Sequence, residues 1–386
     1  MFRCSLPPIH FGCGSLAQLG ALAAGLGRQA LLAVDPYLDR NGVADEIVGL
    51  LGAAGVGCLK WTDIQPNPSC LVADRAAEAA RSAGCDLVVA AGGGSAIDFG
   101  KGVAILVGNP GNCWDYTERK DHTVRRPLQP VLPLLAIPTT AGTGSEATPF
   151  AVFNNPLIHE KSTIVSDRIY PAAAIVDPDL MRSMPPRLTA STGFDAFAHA
   201  LESFISLQAN AYTRLVAREA MQLIVRWLPT AVADGQNRPA RENLAWASTL
   251  AGSAIARIGV TLPHSLGQPV SGLCGAPHGE SVAACMVQVL EFSYQKDLDR
   301  FADLAAAIDP TLSGQPVALR AAQCPALVRR LLDDIGLSVR YGDFGLTRDL
   351  IPQATRIALT GYYFDIGCHP CPVSETDITN LYLACL

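Results

Sequence analysis

Residues 86–102 read DLVVAAGGGSAIDFGKG, and this stretch decides the fold. DLVVA (86–90) has the short apolar run of a buried strand, three glycines interrupt it, and the residues after them open a helix. Glycines at that junction let the backbone approach a ligand closely, and the free N–H groups of the helix start make an anion site suited to a pyrophosphate. A tight turn alone would look similar. The common G-x-G-x-x-G fingerprint follows the first strand of such a domain. Here the glycines follow the third, so this is not a standard Rossmann motif.

Working outward, QALLAVD (29–35) reads as a strand ending at Asp35, and NGVADEIVGLLGAAG (41–55) follows with helical periodicity. GCLKW (57–61) reads as a second strand, SCLVADRAAEAARSAG (69–84) as a helix, and VLPLLAIP (131–138) as another buried strand. Strand and helix alternating in units of about 30 residues predict a parallel α/β sheet with right-handed crossovers. AVFNN and STIVS, split by the polar break PLIHEK, predict an antiparallel hairpin, and AAAIVDP a final strand. After SMPP (183–186) the strand signal ends and Ala/Leu-rich helical segments run to the C-terminus. The expectation is an α/β domain over 1–185 and an all-α domain over 186–386.

A chain of 386 residues suits two domains, and 49% hydrophobic with 17% charged residues describes a compact interior rather than a disordered chain. The net charge is -6 and no Lys/Arg block occurs, which argues against a nucleic-acid partner. The N-terminus lacks the apolar run of a signal peptide, and no apolar run approaches the roughly 20 residues of a membrane span. A soluble, cytoplasmic protein is expected. Twelve cysteines scattered through such a chain read mainly as reduced, buried hydrophobes. Cys368 and Cys371 have C-x-x-C spacing, but Pro370 and Pro372 suggest a surface loop.

Asp35, at the carboxyl end of the first strand, can accept hydrogen bonds from an adenosine ribose and would repel a 2′-phosphate, favouring NAD over NADP. A turn-forming aspartate before Pro36 explains it equally well. AIPTTAGTGSEAT (136–148) sets Thr139, Thr140, Thr143 and Ser145 among glycines in a polar loop able to bind phosphate, ribose or a nicotinamide amide. In TGFDAFAHALES (192–203), Asp195 and His199 stand four apart on one helix face. TLPHSLGQPVSGLCGAPHGE (261–280) adds His264 and His278, two of only seven histidines. One carboxylate and three imidazoles make a four-ligand set for Fe²⁺ or Zn²⁺. The alternative is a pair of buried structural histidines.

Taken together, GGGSAIDFGK, IPTTAGTGSEAT, GFDAFAHALES and H-x13-PHG, in this order and spacing, resemble the iron-containing (group III) alcohol dehydrogenases. The resemblance runs from IHFGCGSL (9–16) to the final helix. It implies the dehydroquinate-synthase-like architecture, in which an N-terminal dinucleotide-binding α/β domain precedes an all-helical domain, with the active site in the cleft between them. It places Asp195, His199, His264 and His278 on the metal ligands, Gly92, Gly93, Gly94 and Ser95 on the pyrophosphate loop, and Asp98 just inside its helix. Thr139, Thr140, Thr143 and Thr148 fall around the phosphates and nicotinamide, Lys161 near the cofactor, and Asp35 on the acidic residue associated with NAD. It further implies a homodimer or larger assembly.

The match has departures. Where many members carry a histidine four residues after the third ligand, this chain has Gln268, which puts the proton path in question. The C-terminal loop, often N-P-R-P, reads HPCP at 369–372, and WDYTERKDHTVRRP (114–127) follows no family pattern. The activity expected is hydride transfer between a nicotinamide and a small alcohol or aldehyde. A maleylacetate reductase is the alternative, argued against by the full ligand set. A dehydroquinate-synthase-like cyclase is a further one, argued against by the scarcity of Lys and Arg near the presumed site.

Overall fold

The computed structural model describes residues 6–120 and 122–386. They form two compact units, one of residues 6–140 with Gly144–Met181, the other of Arg182–Leu386 with Ala141–Thr143.

Among the described residues the first unit holds eight strands: β1 (Ile9–Phe11), β2 (Gln29–Val34), β3 (Gly57–Trp61), β4 (Leu87–Gly92), β5 (Leu134–Pro138), β6 (Phe150–Asn155), β7 (Glu160–Val165) and β8 (Ala173–Val176). Helices α1 (Leu19–Ala24), α2 (Pro36–Arg40), α3 (Val43–Ala53), α4 (Cys70–Ser82) and α5 (Gly94–Gly108) connect the early strands. Six strands pair in the order β1-β8-β5-β4-β2-β3, all parallel. β2 and β4 are almost wholly buried, which is why their sequences are apolar without alternation. Leu32, Val34, Val89, Leu135 and Ile137 from the sheet meet Leu19, Ile47 and Leu51 from the helices in one core.

Strand order places the chemistry. After β2 the chain crosses to β3 on one side, whereas after β4 it crosses to β5 on the other. Between β2 and β4 the connections diverge, and ligands of open α/β sheets bind at the carboxyl ends of strands at such a switch point. Asp35 follows β2, Gly93 follows β4, and the Asp35 N–H bonds the Ala91 carbonyl at 3.1 Å.

The β6–β7 hairpin is antiparallel. Residues 117–119 pack along it: Thr117 bridges Ile164, the Glu118 N–H bonds the Thr163 carbonyl, and Arg119 pairs with Glu160 at 2.5 Å with both side chains buried. Trp114 stacks under the Arg119 guanidinium.

The second unit is helical: α6 (Pro186–Ile205), α7 (Ala211–Ala233), α8 (Arg238–Ile258), α9 (Leu262–Cys274), α10 (His278–Ser293), α11 (Leu298–Ile308), α12 (Val317–Asp334), α13 (Ile351–Gly361), α14 (Tyr363–Cys368) and α15 (Glu375–Ala384). From Phe194 to Ile205 α6 is buried on every face, because α7, α8 and α10 pack around it. Among the described residues no helix is long and apolar enough to cross a membrane.

One expectation is corrected. The HPCP loop lies only partly at the surface: His369 and Cys371, like Cys368 before them, are buried, while Pro372 is exposed. Burial pushes both thiols up, Cys368 to about 11, so neither is a reactive thiolate. The physical reason for the burial is His369, whose Nε2 lies 2.8 Å from Ser293 Oγ on α10 and draws the stretch inward.

Candidate metal centre and cofactor loops

Asp195 and His199 sit one turn apart on α6, His264 in the first turn of α9, and His278 at the start of α10. One ligand atom from each of the four lies within 4.8 Å of the others. Asp195 Oδ1 is 3.8 Å from His199 Nε2, 3.4 Å from His264 Nε2 and 3.4 Å from His278 Nε2. The His199 and His264 rings stack with centroids 4.7 Å apart. Asp195, His199 and His264 are buried, while the His278 side chain is 24% exposed, so the approach to the cluster lies on its side.

Two buried atoms at this centre, Asp195 Oδ1 and His264 Nε2, make no hydrogen bond among the described residues. Leaving such atoms unsatisfied is costly. A divalent cation satisfies both, and three nitrogens with one carboxylate oxygen suit Fe²⁺ or Zn²⁺.

The electrostatics agree. Burial opposes a charged Asp195, but His199, His278 and His264 outweigh it and hold the carboxyl well below the usual range. Burial likewise disfavours a charged His264, but Glu202 and Asp195 prevail and raise it above an ordinary histidine. His199 is pushed down, chiefly by burial.

Gln268 lies one turn beyond His264, 7% exposed, with Oε1 lacking a hydrogen-bond partner among the described residues. An amide can donate or accept a hydrogen bond there but cannot take up a proton.

In the α/β unit, Gly92 has φ +148, and a Cβ on it would stand 2.7 Å from the Ala96 Cβ and 3.0 Å from the Asp35 Cβ. Glycine is therefore required by conformation and by space. Gly93 caps α5 and Gly94 opens it, with Ser95 behind. Asp35 caps α2, one oxygen accepting from the Tyr37 N–H at 2.7 Å.

Asp98 is spent inside the unit: Oδ1 accepts from Ser145 Oγ and Oδ2 from the Val152 N–H. Lys101, fully buried, donates to the carbonyls of Ser145, Thr148 and Phe150. Together they hold the loop after Gly144. Thr139 and Thr140 follow β5, Thr148 precedes β6, and Thr143 belongs to the short segment grouped with the helical unit. Lys161 on β7 donates to Asn67 Oδ1 at 2.9 Å, and the Asn67 N–H bonds Ser95 Oγ at 3.3 Å. Asn67, in the left-handed region at φ 58, thus ties Lys161 to the glycine loop.

Sequence reasoning missed Asn67 and Glu202. Only the Pro-Asn-Pro setting of Asn67 signals an ordered turn, and Glu202 gives no signal beyond its place in the Asp195–His199 helix.

Comparison with known proteins follows the same division of the chain. The family description "Iron-containing alcohol dehydrogenase" matches residues 7–178, and its C-terminal counterpart matches 189–386. The long-chain-alcohol dehydrogenase 1 of Geobacillus thermodenitrificans is 34% identical over 99% of this chain and 96% of its own length. The NAD-dependent methanol dehydrogenase of Bacillus methanolicus is 32% identical over 89% of this chain and 90% of its own. The crystal structure of an archaeal alcohol dehydrogenase from a Red Sea brine pool superposes with a TM-score of 0.95 at 32% identity, covering 100% of this chain and 99% of the other. On these matches, which span both units, the chain belongs to the iron-containing alcohol dehydrogenase family.

Proposed function

We propose that the enzyme is an NAD-linked alcohol dehydrogenase with one Fe²⁺ or Zn²⁺ bound by Asp195, His199, His264 and His278. The observation that carries this reading is the convergence of those four donors within 4.8 Å, two of their buried atoms otherwise unsatisfied. In the reaction proposed, the hydride of a small alcohol goes to the nicotinamide and the hydroxyl proton to solvent, or both return to an aldehyde. A divalent ion held at this centre supplies Lewis acidity, which favours loss of the hydroxyl proton and polarises the carbonyl in reverse.

The chain's own residues do the rest. Residues 1–185 serve as the nucleotide domain and 186–386 as the metal domain. Gly92, Gly93, Gly94 and Ser95 offer the α5 N-terminus to the pyrophosphate. Asp35 keeps its second oxygen for the ribose and disfavours a 2′-phosphate. Thr139, Thr140, Thr143, Thr148 and Lys161 surround the rest of the cofactor, with Asp98 positioning Ser145. Gln268 hydrogen-bonds at the reacting region without relaying a proton. The support for NAD is the Asp35 carboxylate at the switch point and the NAD dependence of the methanol dehydrogenase relative. A cytoplasmic homodimer belongs to the same reading, on the strength of composition and family.

Metal analysis of wild type and His264→Ala, with aldehyde-dependent NADH oxidation on the same samples, tests the reading. Wild type is expected to carry about one equivalent of Fe or Zn and to reduce short aldehydes. The variant is expected to lose the metal and at least 100-fold in kcat/KM. Aldehyde reduction by metal-free wild type would refute it.

A further inference from the structure

Glu202 lies on α6, seven residues after Asp195 and three after His199, with no exposed surface. Its Oε2 accepts the Thr261 N–H at 2.6 Å and the Thr261 hydroxyl at 3.1 Å, and its Oε1 meets His264 Nδ1 at 2.5 Å. Both Thr261 contacts use the carboxyl as an acceptor, and Oε1 is left to face His264 alone. Among the described residues no Lys or Arg pairs with it, and its one ion-pair partner is His264. A buried carboxylate in that position is expensive unless positive charge stands close by.

The geometry says where that charge belongs. Nδ1 of His264 faces Glu202 while Nε2 faces Asp195 Oδ1, 3.4 Å away. A divalent cation beside Nε2, with the single charges of Asp195 and Glu202, sums to zero.

We propose that Glu202 is a positioning residue of the metal centre: it fixes His264 in the Nδ1–H tautomer, and it supplies the second negative charge that neutralises a buried divalent ion. This rests on the metal reading above. Outer carboxylates of this kind orient ligand imidazoles and strengthen their bonds to metal, and their loss typically costs 10- to 100-fold in metal affinity.

The test is a Zn²⁺ titration of chelator-stripped wild type and Glu202→Gln against a competing chromophoric chelator, with thermal melts of both metal-free proteins. Glutamine is nearly isosteric but keeps one acceptor oxygen and points an NH₂ at one of the three donors. The variant is expected to bind Zn²⁺ 10- to 100-fold more weakly than wild type. Affinity within twofold of wild type overturns the proposal, whatever the melts show, because a purely structural role lowers the metal-free melt and spares affinity. If Glu202→Gln does not fold, ¹⁵N-histidine spectra of Zn²⁺-loaded wild type decide: a proton on His264 Nδ1 supports the proposal, and a metal-bound Nδ1 overturns it. If wild type itself binds no Zn²⁺, Co²⁺ or Fe²⁺, the metal reading falls and takes this inference with it.

Discussion

His369 shows what a single buried group does to the stability of the chain. Ser293 Oγ gives its only hydrogen to the Val289 carbonyl, so His369 Nε2 must be the donor in their 2.8 Å contact. That leaves Nδ1 bare, buried and without a hydrogen-bond partner among the described residues. A proton added at Nδ1 has nothing to bond, and burial, with Lys296 adding to it, pushes His369 down to about 3. The folded state therefore refuses a proton that the unfolded chain accepts below 6.5. Stability from this group is complete above that value and falls on acidification through the window from 6.5 to about 3, at roughly 1.4 kcal/mol per pH unit well inside it. Urea unfolding of wild type and His369→Gln near neutral pH and about one unit below 6.5 measures this. Wild type is expected to lose about 1.4 kcal/mol more than the variant between the two. Equal losses would assign the acid sensitivity elsewhere.

At the scale of helices, the metal centre depends on how closely α10 approaches α6. A Cβ at Gly279, next to His278, would stand 2.2 Å from the Ser191 carbonyl oxygen, and backbone cannot give way as a flexible side chain can. Gly279→Ala is expected to push α10 outward, cost about 1–3 kcal/mol as overpacking does, and weaken Zn²⁺ binding by drawing His278 from Asp195. Urea unfolding and zinc titration of one sample read both effects. Lost stability with unchanged affinity would mean that the His278 ring follows Asp195 despite the shift. This dependence also explains what was legible in advance. The strands β2, β4 and β5 could be read because a fully buried strand is a continuous apolar run, and the four donors because histidines are few and Asp195 and His199 share a face. β1, three residues long, carries no such run, and α2 is a five-residue turn of helix behind Asp35. Glu202 could not be read, because a glutamate in a helical run looks the same whether it faces solvent or a ligand histidine. Its role exists only once Thr261 and His264, some sixty residues later, fold against it.

For the whole molecule, the division into two units makes the two proposed ligands separable. The four metal donors all lie in the helical unit, whereas Asp35, the glycine loop, Asp98, Thr139, Thr140, Thr148 and Lys161 lie in the α/β unit. Each unit has its own apolar core, one built on β2, β4 and β5, the other on α9, α10, α13 and α15. A ligand that binds one folded unit stabilises that unit against opening, by about 2.7 kcal/mol at a hundred times its dissociation constant. That corresponds to roughly 100-fold slower amide exchange where exchange proceeds through opening of that unit. Hydrogen exchange followed by peptide mass spectrometry on the chelator-stripped protein is the measurement. Zn²⁺ is expected to slow exchange by about that factor in peptides from α6, α9 and α10 and to leave β2 and β4 unchanged. NAD is expected to do the reverse, protecting β2, β4 and the start of α5. If either ligand alone protects both sets equally, the units open as one cooperative body, and the assignment of one ligand to each unit must then rest on variants such as His264→Ala rather than on protection.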